Sequence, residues 1–178
     1  MALSEEKKRE YVHRLLLSRM RILCNHGFFG LLLMHATYSV SEDVETACTD
    51  GRGITFGTKF LEELSDGELD FVMMHEIMHI VLQHCHRYDG QDNDRYNIAC
   101  DIVVNSNILL ENNMDSKSIT LKKYGESMHI APNGKEGHLY TAEEVYLMLQ
   151  QSPNGRKSQP SGGGSAKGRA KQTQAERE

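Results

Sequence analysis

The sequence predicts an α+β domain. Segments near 4–24, 66–87, 96–111 and 142–150 carry apolar residues at helical spacing, while "ETACTDGRGITF" has two β-prone arms around glycines. At 178 residues, with 39% hydrophobic and 25% charged, the chain can bury one substantial core but hardly two. Residues 1–151 are expected to form that domain, and 152–178 a flexible linker or tail.

Ser4 can cap the first helix, in which early acids precede "YVHRLLLSRMRIL". "HGFFG" interrupts the pattern. "LLLMHATYSV" ends in β-formers and reads as a strand, with a helix start as the alternative. Asp50-Gly51-Arg52-Gly53 suits a tight reversal because glycine accepts positive φ, so a hairpin or two edge strands are expected there. Ser65 and Glu68 have the spacing of a capping box, which starts a helix near Asp66 that should run to about Arg87. Asp89 to Asp94 is a polar connection, and "YNIACDIVVNSNILLE" is a second buried helix over 96–111. Residues 112–138 read as irregular. Thr141 and Glu144 repeat the capping-box spacing before "AEEVYLMLQ". From Ser152 onward the chain is rich in Gly, Ser, Gln and Lys, with almost nothing to bury.

Composition excludes several functions. A formal charge of −5 argues against a surface devoted to nucleic acid. Residues 152–178 are basic, six Lys/Arg against two Glu, yet no aromatics interleave with the charges, so a soluble linker is the better reading. The N-terminus is charged throughout and "FFGLLLM" is too short to span a bilayer, so a cytoplasmic protein without a membrane segment is expected. Cys24, Cys48, Cys85 and Cys100 stand singly and read as reduced thiols. "TDGRG" lacks the Lys-Ser/Thr of a phosphate loop. The nine methionines read as adaptable core filler.

The chemistry concentrates in "FVMMHEIMHIVL", residues 71–82. His75 and His79 lie on one helical face about 6 Å apart along the axis, so two imidazoles can converge on one metal ion. Glu76 is about 100° around from His75, where a carboxylate can take a proton from the ion's water. This is the H-E-x-x-H pattern of zinc peptidases. A bland pair of core histidines would leave Glu76 buried beside them without a cation, which is costly.

Zinc takes a third protein ligand and keeps one open position. On a helix continuing to Arg87, His86 would lie about 10.5 Å beyond His79, His84 would point about 140° away, and Cys85 would face another direction. The third ligand must then come from another element, and Asp101 is the best candidate, since an unpaired carboxylate in an apolar helix is expensive. Asn97, Asp101 and Asn105 form one polar stripe at spacing four. Such a stripe could support a ligand with hydrogen bonds, although Asn97 and Asn105 by themselves read as solvent-facing. Cys100 points about 100° away and reads as core.

"FFGLLLM", "TACTDGRGITFGTKFLEELSDGELDFVMMHEIMHIVLQH" and "RYNIACDIVVNSNILLE" resemble the zincin-like metallopeptidase domain of bacterial proteins that often carry a von Willebrand factor A-like domain behind it. The resemblance covers about residues 10–150. It implies helices packed on a small β-sheet with the H-E-x-x-H helix beneath an edge strand. It also implies His75, His79 and Asp101 as Zn²⁺ ligands, Glu76 as the catalytic carboxylate, and a von Willebrand factor A-like domain or complex as partner. The activity expected is hydrolysis of a peptide or protein substrate by a metal-activated water with Glu76 as general base. The alternative is a catalytically silent, zinc-bearing binding or regulatory module. The "TACT" or "GITF" arm could pair with an extended substrate. Tyr96, His129, His138 and Tyr140 are candidates for stabilising the oxyanion, and the sequence does not choose among them.

Overall fold

The computed structural model describes residues 4–87, 92–114 and 128–152. Helix α1 spans Glu5–Asn25, and the Ser4 hydroxyl accepts from the Lys7 amide at 3.3 Å. Tyr11, Leu15, Ser18 and Ile22 form its buried stripe, at the spacing of one helical face. The interruption expected at "HGFFG" is a hinge at His26, after which α2 (Gly27–Leu33) resumes. Leu31 to Leu33 therefore close a helix, and only Thr37–Ser41 form strand β1. The packing of α2 on α1 explains this outcome. A Cβ on Gly30 would stand 2.3 Å from Leu23 Cα, so glycine permits a helix crossing that sets Phe29 and Leu33 into the core.

The expected hairpin is present. Strand β2 (Ala47–Thr49) runs antiparallel to β3 (Gly53–Gly57), and β1 joins β3 in parallel, giving the order β1-β3-β2. Asp50 Oδ1 accepts from the amides of Arg52 and Gly53, each at 2.9 Å, and Gly51 takes φ +88°. Those amides hold the Asp50 carboxyl below its usual range. Ala47, Thr49, Ile54 and Phe56 are buried on one face, while Ser39 and Thr55 bond each other at 2.7 Å on the other. A short helix that the sequence did not reveal, α3 (Thr58–Glu63), follows.

Helix α4 (Asp66–Val81) begins with the full Ser65/Glu68 capping box. It is buried nearly all round, by Leu69, Phe71, Val72, Met73, Met74, Ile77 and Met78 besides two histidines. It packs against α1, α2, edge strand β2 and α5, which is the layout the family resemblance implies. Asp70 ties it to α1, receiving Arg21 Nε at 2.9 Å and an Arg21 guanidinium nitrogen at 2.7 Å. The expected run to Arg87 is not observed. The helix ends at Val81, and Gln83 at φ +56° turns the chain back.

Asp92 caps α5 (Asn93–Glu111), which starts three residues before the expected Tyr96. The helix separates two cores. Val104 and Ile108 join the cluster of α1, α2, the sheet and α4, while Tyr96, Ala99, Cys100 and Val103 pack with Val145 and Tyr146 of α6 (Ala142–Gln151). Thr141 and Glu144 complete the second expected capping box. Residues 128–140 are less irregular than expected, with an Ile130–Glu136 bridge and a 3-10 turn at Gly137–Leu139. The tail beyond Ser152, the first part of the Asp89 to Asp94 connection and residues 115–127 lie outside the described residues. Among the described residues no helix is long and apolar enough to cross a membrane.

Gly30→Ala should cost about 3 kcal/mol, because its methyl meets backbone rather than a movable side chain. Urea denaturation would measure the loss.

Candidate metal centre

His75 and His79 occupy successive turns of α4 and are 4% and 8% exposed. Their Nε2 atoms stand 3.0 Å apart, and Asp101 Oδ1, from α5, lies 3.3 Å from each. The three residues form one group of converging donor atoms that could hold a metal ion. A tetrahedral ion with bonds of 2.0–2.1 Å sets its donors about 3.3 Å apart, so the triangle fits zinc in size. Its chemistry fits as well, since two imidazoles and one carboxylate are ordinary zinc donors. Without a cation, protons on the ring nitrogens must bridge the three atoms at such distances, since bare lone pairs and a carboxylate would repel. Burial opposes ionisation of Asp101, but hydrogen bonds and charge from His75 and His79 outweigh it and hold the carboxyl well below its usual range.

The remaining ring nitrogens are also engaged. His75 Nδ1 meets Asn105 Oδ1 at 3.0 Å, and Asn105 Nδ2 donates to the Met128 carbonyl at 3.1 Å. Asn105 is fully buried, which corrects the solvent-facing reading; Asn97 is half-buried. His79 Nδ1 meets His84 Nδ1 at 3.1 Å. His84 was expected to point elsewhere, on the assumption of a continuous helix. The reversal at Gln83 instead folds it back, 5% exposed, behind His79. Burial, reinforced by charge from His79 and Arg87, pushes His84 down to about 3, so it is a neutral imidazole at pH 7. A neutral His84 can accept from His79 Nδ1–H, and Asn105 Oδ1 can accept from His75 Nδ1–H. Both bonds leave Nε2 as the nitrogen turned toward the other donors, as the outer hydrogen-bond partners of metal-bound histidines do. The i, i+4 spacing of Asp101 and Asn105 carried the signal for one of them; nothing local marked His84.

The other residues singled out from the sequence are not among the three converging donors. Glu76 is half-buried on α4. Burial first, and the Glu76 charge second, push the Cys48 and Cys85 thiols up, which sets Glu76 on the side of α4 near β2. Cys85 Sγ donates to the Thr49 carbonyl at 3.4 Å. His86 lies over the β2–β3 turn, where its Nε2 comes within 2.5 Å of a Cβ placed on Gly51. Cys100 is buried against α6, as expected of a core thiol. Of the two arms proposed to receive substrate, "GITF" is the central strand and is paired on both sides, whereas "TACT" is an edge.

The four oxyanion candidates have partners of their own. Tyr96 Oη reaches Glu143 at 3.3 Å and Tyr140 Oη accepts from Asn133 at 2.8 Å. His129 Nδ1 meets Glu136 at 2.9 Å, and His138 Nδ1 meets Ser106 at 2.9 Å.

A small mixed sheet packed by helices, with the H-E-x-x-H helix under its edge strand, is the arrangement of the zincin-like class. The chain belongs to the family described as "Putative metallopeptidase domain", whose family model matches residues 10–178. No curated protein and no solved structure matches it.

Asn105→Ala and His84→Ala should each weaken divalent-metal binding about tenfold or more without unfolding the domain. Competition titration with a zinc-chelating dye, beside circular dichroism, would check both.

Proposed function

We propose that this metallopeptidase-family domain is a zinc-dependent peptidase, with His75, His79 and Asp101 as ligands and Glu76 as general base. The observation that carries the reading is the convergence of two imidazole nitrogens and a carboxylate oxygen at 3.0 to 3.3 Å. Zinc, when bound, supplies a Lewis acid that lowers the pKa of a coordinated water toward neutrality. Glu76 accepts the proton of the attacking water and returns it to the leaving amine. The edge of β2 suits an extended peptide, since an unpaired strand edge offers main-chain hydrogen bonds. Cys85 occupies the Thr49 carbonyl and bounds that edge at one end. Four free thiols support a reducing compartment such as the cytoplasm.

A second reading, a zinc-bearing module that acts within a larger complex, is favoured by the exposed apolar side chains of α1 and α2. Val12, Leu17, Met20, Phe28 and Leu31 are each 46% to 64% exposed.

Metal analysis by plasma mass spectrometry should find one zinc per wild-type chain and none in His79→Ala or Asp101→Ala. A wild type that stays metal-free after zinc is offered would sink the peptidase reading. Glu76→Gln should keep the zinc and lose activity on an unfolded protein by about a hundredfold or more. A zinc-loaded wild type without turnover would favour the second reading.

A further inference from the structure

Behind the centre, on the far side of Asn105, lies a second cluster that the proposed chemistry does not use. Ser106, fully buried, donates from Oγ to Glu136 Oε2 at 3.0 Å. The same carboxylate oxygen receives His129 Nδ1 at 2.9 Å. A hydroxyl has one proton, so with that proton on Glu136 the 2.9 Å contact with His138 Nδ1 requires the ring to donate to Ser106 Oγ. Burial opposes ionisation of Glu136, but the bonds from His129 and Ser106 outweigh it and keep the carboxyl below its usual range. Glu136 is therefore an anion on which two donors meet, one from α5 and one from the 128–137 segment.

That segment bears on the metal centre through one atom. The Met128 carbonyl can only accept, so Asn105 must present Nδ2 to it and Oδ1 to His75. With Oδ1 facing the ring, His75 Nδ1 must carry a proton, and Nε2 is the nitrogen turned toward His79 and Asp101. Were the carbonyl displaced, the amide could turn over and stabilise the wrong tautomer. Met128 is held by its neighbour. His129 binds Glu136, its carbonyl accepts from Gly137 at 2.9 Å, and Ile130 pairs with Glu136. Because Ser106 directly follows Asn105 on α5, Glu136 closes a ring of contacts through Ser106, Asn105, Met128 and His129.

We propose that Glu136 is a positioning residue for the metal centre. Clamped between Ser106 and His129, it fixes the Met128 carbonyl, which sets the Asn105 amide and through it the tautomer of His75. The inference rests on the reading of His75 as a ligand, but its first readout needs no metal. Glu136→Gln keeps an oxygen able to accept both donors, whereas Glu136→Ala keeps none.

The test is long-range ¹H–¹⁵N spectroscopy of the histidine rings in the zinc-free protein, with zinc affinity by competition titration. Wild type and Glu136→Gln should show His75 protonated at Nδ1 and bind zinc within about threefold of each other. Glu136→Ala should show a mixture of tautomers and bind about tenfold more weakly, the lower end of what loss of an outer partner costs. Ser106→Ala, which removes one of the two donors, should fall between them and decides the matter if Glu136→Ala does not fold. A folded Glu136→Ala, or failing that Ser106→Ala, with an unchanged His75 tautomer would overturn the proposal. A wild type that binds no zinc but shows the expected tautomers would overturn only the metal reading.

Discussion

Where α4 meets α5, two helices whose Phe71, Met74, Val104 and Ile108 share one buried core, the Asp101 carboxylate lies against two imidazoles. A charge withdrawn from water in this way costs several kcal/mol unless it is paired and hydrogen-bonded. The rest of the site answers that constraint. Each histidine turns one nitrogen toward the carboxylate and gives the other to a buried neutral group, Asn105 or His84. No ring nitrogen of the pair is left to seek water, so the donors are held in place before any ion arrives. Pre-arrangement of this kind is what a rigid metal site needs.

The six residues after α4 join the site to the sheet. His84 stands behind His79, Cys85 reaches the Thr49 carbonyl of β2, and His86 covers the turn at Gly51. Three successive side chains thus fasten the end of α4 to the edge strand above it. That fastening requires the helix to stop at Val81, and the left-handed conformation of Gln83 supplies the stop. Had α4 continued, these side chains would have pointed along three directions of one cylinder, and the β2 edge would have had no anchor to α4 at Thr49.

Much of this was legible beforehand because it depends on short-range rules. Ser65 with Glu68 and Thr141 with Glu144 marked two helix starts, since a capping box needs only residues three apart. The spacing of His75 and His79 placed two donors on one face, and the cost of a carboxylate in "NIACDIVVN" singled out Asp101. The misreadings came from local rules. Leu31 to Leu33 were assigned by local apolarity, Asn105 by polarity and His84 by extrapolating a helix, yet the outcomes were decided by α2 folding onto Leu23 of α1, by Met128 meeting Asn105 and by the reversal at Gln83 that brings His84 to His79.

By itself the sequence determined the α+β class, the helix caps, the glycine reversal of the hairpin and the residues that bring Nε2, Nε2 and Oδ1 together. These follow from backbone periodicity and from the penalty for burying polar groups, which operate within a few residues. Only the tertiary structure decided where α4 ends, which strand edge stays unpaired and which groups stand behind the histidines. The group behind His75 depends on a side chain 30 positions away, and the group behind His79 on a left-handed residue, Gln83, that ends the helix; apolar periodicity encodes neither.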